Sequence, residues 1–329
     1  MSNSFVDGIL SGKNKKALPI LTYPALEFTG STIGETLTSA ERIAALSIEA
    51  AKRTDSAAAM CVMDLSVEAE AFGAELSFEK NSVPAVSGCL VKDYDDAKAL
   101  RVPDARAARC GLFIDAVPLI KKEVTDRPVF ADCCAPFSLC SRLTGVTECM
   151  MLMFDEPEAV HTVLEKCTEF LICYVKEFKN AGADGVLLAE PVAGLLSPDF
   201  EEEFSAPYTK KLADAVRDDN FTVIYHNCGA VEKMTDSIYA NGCDCYHFGD
   251  GADMKALLEA APADKLVMGN ISPLDFFVNG TPETMREKVS ALLDECRAFP
   301  NFVLSSGCDI PANAKWENIG AFFEAAKER

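Results

Sequence analysis

The sequence predicts an α/β protein, a single (β/α)8 TIM barrel with an N-terminal extension, formed by one domain over residues 1–329. Short apolar runs of strand character alternate eight times with longer stretches of helical periodicity, which argues for parallel strands joined by helices. Residues that can carry chemistry gather just after the carboxyl ends of those runs, where a barrel keeps its catalytic groups. A length of 329 residues with 49% hydrophobic side chains is ordinary for one such barrel. A doubly wound open sheet built from the same βα units is the alternative fold.

The predicted strands, in order, are 18–23, 57–63, 129–133, 185–189, 222–226, 245–248, 266–269 and 302–305. Amphipathic stretches separate them. In 157–181, Val160, Leu164, Cys167, Leu171 and Val175 recur at three- and four-residue spacing, and in 283–299 Val289, Leu292, Leu293 and Cys296 do the same. Residues 1–16 hold Lys13, Lys15 and Lys16 but no apolar core with a small-residue cleavage site, and no later run approaches eighteen uncharged apolar residues. A cytoplasmic protein is expected.

A formal net charge of −20, from 31 basic and 51 acidic residues, disfavours nucleic acid or an anionic membrane as partner. The fourteen cysteines include the adjacent Cys133 and Cys134 and others inside apolar runs. They lack the spacing of a disulfide framework, so reduced thiols are expected.

The most specific pattern is Tyr225-His226-Asn227-Cys228-Gly229, read with Ser306-Gly307-Cys308-Asp309. On a strand, His226 and Cys228 at i and i+2 share one face. Cys308 completes a Cys₂His set. Three protein ligands leave zinc a fourth position for water or substrate, and two thiolates with a neutral imidazole balance its charge. Alkyl transfer to sulfur is the chemistry implied. Against this stands the frequency of buried cysteine as a plain small hydrophobe, which makes a chance His-x-Cys pair easy in a cysteine-rich chain.

Other polar residues fall at or after predicted strand ends. Asp64, Glu190, Asp250 and Asn270 are candidates there, Glu190 and Asp250 for proton transfer or for orienting a ligand, Asp64 and Asn270 for cofactor binding. Asp and Asn at such turns also serve as N-caps and loop acceptors. His247 inside a strand reads as a hydrogen-bonded core histidine, with metal ligation as the rival. His161 on the polar side of a helix reads as a surface residue.

Several segments resemble the uroporphyrinogen decarboxylase superfamily: Asp64-Leu65-Ser66-Val67-Glu68-Ala69-Glu70-Ala71-Phe72-Gly73, Ala135-Pro136-Phe137-Ser138-Leu139 with Leu143-Thr144-Gly145, Ala181-Gly182-Ala183-Asp184, and Leu195-Leu196-Ser197-Pro198-Asp199-Phe200 leading to Pro207-Tyr208. The His226-Asn227-Cys228-Gly229 segment and Gly307-Cys308 resemble its zinc branch, the methylcobamide:coenzyme M and related corrinoid-dependent methyltransferases. The resemblance implies Zn²⁺ on His226, Cys228 and Cys308. It further implies methyl transfer to a thiol or another acceptor such as tetrahydrofolate, and a corrinoid on a separate partner protein, since no Asp-x-His-x-x-Gly element is present. The family often has an acidic pair after its sixth strand, where this chain has Gly249-Asp250-Gly251, so Asp250 is the shorter candidate for the fourth ligand.

Two other readings compete. A decarboxylase of this family would carry an N-terminal Arg-Gln-Ala-Gly-Arg motif for its polycarboxylate substrate, and Arg42, Arg53, Arg101, Arg106 and Arg109 do not form one. A non-enzymatic zinc or corrinoid binder would close its metal with four protein ligands. An anionic acceptor would need a cationic anchor near the metal, and no arginine is expected close to the strand ends.

Overall fold

Seven parallel strands form one curled sheet in the order β1 (Ala59–Met60), β4 (Val129–Cys134), β5 (Gly185–Ala189), β6 (Thr222–Asn227), β7 (Cys245–Phe248), β8 (Leu266–Ile271) and β9 (Phe302–Ser306). A separate antiparallel hairpin, β2 (Glu75–Ser77) and β3 (Ala85–Ser87), lies in the long connection after β1. The computed structural model describes residues 3–12 and 15–327, so Lys13 lies outside the described residues.

Nearly every strand residue is buried, as expected for parallel strands covered on both faces. Phe130, Leu187, Ile224, Cys245, Leu266, Met268 and Val303 meet on the inner face. Val6 and Ile9 of the helix Ser4–Leu10 join them, and Phe5 stands edge-on to Phe130 with ring centroids 5.0 Å apart, so the N-terminal extension covers the lower end of that face. The outer face packs on helices, among them Pro157–Asn180, whose Val160, Leu164, Cys167, Leu171 and Val175 are all buried.

The predicted strand 18–23 is not a ladder strand. Pro19 has no N–H to donate, and the Ile20 N–H goes to the Ser306 hydroxyl at 3.1 Å instead of to a backbone carbonyl. Single bonds still tie this segment to both edges of the sheet: Leu18 N–H to Leu304 O and Ala57 N–H to Ala17 O, each 2.9 Å. From Tyr23 the chain turns into the short 3₁₀ helix Tyr23–Ala25. The predicted strand 57–63 contracts to Ala59–Met60 because its ladder bonds stop once Cys61 N–H has reached Phe130 O. The other six predicted strands are present, displaced at their ends by two residues or fewer.

Candidate metal centre

His226 is the fifth residue of β6, and alternation along the strand turns it to the inner face with Ile224. It is 2% exposed. Cys228 follows just beyond the strand end and is exposed, while Cys308, two residues past β9, is half-buried. One ligand atom from each of these three residues lies within 4.8 Å of the others. Cys308 Sγ is 3.7 Å from His226 Nε2.

Two glycines make this approach possible. A Cβ on Gly249, after β7, would lie 2.6 Å from the Cys228 carbonyl oxygen, and one on Gly307 would lie 2.6 Å from the Asp250 nitrogen. The three loops therefore nest at van der Waals contact and carry Cys228, Asp250 and Cys308 to one place.

Hydrogen bonds fix the histidine tautomer. The Ser305 hydroxyl donates to the Leu18 carbonyl at 2.7 Å, so it accepts from His247 Nε2–H, also at 2.7 Å. Burial, then the neighbouring His226, push the His247 pKa well below the usual value and keep the ring neutral, which leaves its Nδ1 as an acceptor. His226 Nδ1 lies 2.8 Å from that atom and must donate to it. The lone pair on His226 Nε2 is thereby turned toward the two sulfurs. The hydrogen bond from Cys308 is the main cause that pulls the Cys228 thiol far below its ordinary pKa, so the pair gives up its first proton readily. One imidazole nitrogen and two sulfurs, with a thiolate already favoured, form a donor set that fits zinc. His247 is the core histidine expected from its strand, and it orients His226.

The remaining sequence candidates are dispersed around this centre. Glu190 is fully buried, and its two oxygens accept the backbone N–H groups of Phe137 and Ser138 at the start of the helix Pro136–Thr144. Burial dominates its pKa, raised to about 7. Asn270 donates both amide hydrogens to the carbonyls of Gly249 and Ala252 and so pins the loop that carries Asp250. Asp250 is exposed at the rim. Asp64 accepts from Arg109 Nη1 at 2.5 Å and from the Ser66 N–H and hydroxyl. His161 is half-buried, stacked on Phe204 and 2.8 Å from the Tyr208 hydroxyl, rather than free on the surface.

The expectation of no arginine near the strand ends is corrected by Arg109. Its guanidinium reaches from the start of the helix Cys110–Glu123 to Asp64, after β1, and to Glu70 at 2.6 Å. Sequence reasoning also passed over Asp132, a buried carboxylate in the middle of β4. A charge inside an otherwise apolar strand run is the signal that finds it.

Comparison with known proteins gives consistent results. The family model described as Uroporphyrinogen decarboxylase (URO-D) matches residues 17–329. The methylcobamide:CoM methyltransferase MtbA of Methanosarcina acetivorans is 26% identical over 310 residues, covering 93% of this chain and 90% of that protein. A uroporphyrinogen decarboxylase of Hydrogenovibrio crunogenus is 28% identical over 286 residues, 82% of this chain and 78% of that one. The solved structure of a methyltransferase from Methanosarcina mazei superposes with a TM-score of 0.88 at 23% identity, over 99% of this chain and 98% of that one, and so shares the fold.

Proposed function

The chain belongs to the uroporphyrinogen decarboxylase family, and within it we propose that it is a zinc-dependent methyltransferase moving a methyl group from a methylated corrinoid to a thiol such as coenzyme M or another acceptor. The observation that carries this reading is the convergence of His226, Cys228 and Cys308 within 4.8 Å. The name of the MtbA relative, matched over 93% of this chain, supports it. A decarboxylase working without a cofactor has no use for such a donor set.

His226, Cys228 and Cys308 would hold the zinc. Bound there, zinc supplies a Lewis acid that lowers the pKa of an acceptor thiol and a template that orients it. His247 and Ser305 keep His226 Nε2 free of its own proton. Exposed Cys228 leaves the solvent side open, so donor and acceptor approach from there. In this reading Asp250, held against Gly307 by close backbone contact, accepts the thiol proton. Glu190 anchors the Pro136–Thr144 helix, Asn270 fixes the Asp250 loop, and Asp64 anchors Arg109 at the mouth. The acceptor sulfur takes the methyl group, its proton leaves, and the carbon–cobalt bonding pair stays with the corrinoid. That corrinoid rides on a partner protein, and residues 1–329 act as one (β/α)8 domain in the cytoplasm.

Metal analysis with a methylcobalamin assay tests the proposal. The protein should hold about one zinc per chain, and Cys228→Ala and Cys308→Ala should each lose it while staying folded. Loss of methyl–cobalt absorbance in the presence of thiols should slow by about two to four orders of magnitude in Cys228→Ala. Unchanged zinc content in both variants rejects the site.

A further inference from the structure

Asn227 lies between the proposed ligands His226 and Cys228 and takes no part in the chemistry above. It closes β6 and is fully buried. Val223 and Tyr225 belong to the cluster covered by helices, and strand alternation puts Asn227 on that same outer face, away from His226. A carboxamide buried there needs partners for both its oxygen and its nitrogen.

Both partners come from its own segment. The Gly229 N–H donates to Asn227 Oδ1 at 2.9 Å, and Asn227 Nδ2 donates to the Tyr225 hydroxyl at 3.1 Å. A backbone N–H can only donate, so the oxygen must face Gly229 and the amide has one orientation. The carboxamide therefore ties the strand to the residue beyond Cys228 and closes the turn that presents its sulfur. Tyr225 is itself fully buried, 6.2 Å from Tyr246 between ring centroids, which makes a rigid base.

Neighbouring backbone presses on the turn from its sides. A Cβ on Gly194, in the turn after Glu190, would lie 2.7 Å from both Asn227 Oδ1 and Gly229 Cα. One on Gly249 would lie 2.6 Å from the Cys228 carbonyl oxygen. Cys228 is thus exposed at its side chain while its backbone is confined.

We infer that Asn227 is a positioning residue for the metal centre: its carboxamide, braced on Tyr225, holds the Cys228 sulfur within reach of His226 and Cys308. This rests on the zinc-dependent reading above. A turn already fixed by the fold spares metal binding the entropy of ordering that loop.

Asn227→Ala, Tyr225→Phe and Gly194→Ala test it in the full chain, with folding checked by circular dichroism. In metal-free protein, hydrogen exchange over residues 226–230 follows the Gly229 amide, which should exchange about tenfold faster or more in Asn227→Ala. Competition with a chromophoric chelator should show zinc affinity reduced by about 10- to 100-fold in Asn227→Ala, and by less in Tyr225→Phe, which keeps the bond to Gly229. In Co²⁺-loaded protein the thiolate-to-cobalt absorption should weaken as Cys228 leaves the ion. Gly194→Ala displaces the turn without removing a hydrogen-bonding group and should weaken the same band. If Asn227→Ala does not fold, the other two variants decide. Unchanged exchange in Asn227→Ala, or unchanged affinity and cobalt absorption in the folded variants, overturns the positioning role. A wild-type chain that binds neither ion rejects the zinc reading itself, so the two failures are distinct.

Discussion

His226 Nδ1 and His247 Nδ1 lie 2.8 Å apart in register on adjacent strands, and the second ring is tied through its Nε2 to Ser305. One histidine therefore sets the proton of the other. A neutral His247 accepts, His226 donates, and the nitrogen facing Cys308 is left bare.

Replacing His247 should weaken metal binding without touching a ligand. His247→Leu removes the acceptor, and zinc affinity should fall by about 10- to 100-fold, the usual effect of losing a partner of a ligating histidine. His247→Asn retains an acceptor oxygen and should recover part of the loss. Competition with a chromophoric chelator measures both, and equal affinities in all three proteins would remove the orienting role.

Arg109 is predicted to be a stability residue. Its guanidinium neutralises Asp64, whose side chain is fully buried, and Glu70, a quarter exposed. Arg109→Leu leaves the Asp64 charge uncompensated, and breaking a buried pair from one side costs about 3–5 kcal/mol. Denaturant unfolding above pH 6 should show that loss. Arg109→Leu with Asp64→Asn should recover part of it, because the unpaired charge is then gone.

The pH dependence of stability should carry the mark of Glu68. Burial is the main cause that raises its carboxyl from 4.5 to about 7. A folded-state value above the unfolded one means that the folded protein holds the proton more tightly. The contribution is thus full below pH 4.5 and is lost as pH rises toward 7. Glu68 Oε1 accepts from the Cys134 N–H while Oε2 has no partner, so glutamine can keep the bond and put its amide at the free position. Glu68→Gln should be close to wild type near pH 5 and more stable than wild type near pH 8. Unfolding free energies across that range decide it, and parallel curves would show that Glu68 does not titrate there.

Strand alternation and strand ends made the centre readable before any tertiary information. His226 and Cys228 are two residues apart on an apolar run, and Cys308 follows another such run, so local periodicity alone sends all three toward one end of a parallel sheet. Glu190 and Asn270 were read from the same positional rule. Their hydrogen bonds reach across 52 residues to Ser138 and 18 to Ala252, which no local pattern encodes.

By itself the sequence determined the βα alternation and the nitrogen–sulfur set at the strand ends, because each depends on spacing within one element or on where that element ends. Only the tertiary structure decided how those parts meet. Leu18 and Ser305, 287 residues apart, join the N-terminal segment to the last strand and anchor the histidine relay. Asp64 and Arg109, 45 residues apart, form the buried pair at the mouth, and Asp132 is left buried with its Oδ2 unpartnered among the described residues. Which charge is matched and which is orphaned depends on distances closed by the chain's return, and periodicity along the chain contains no such distances.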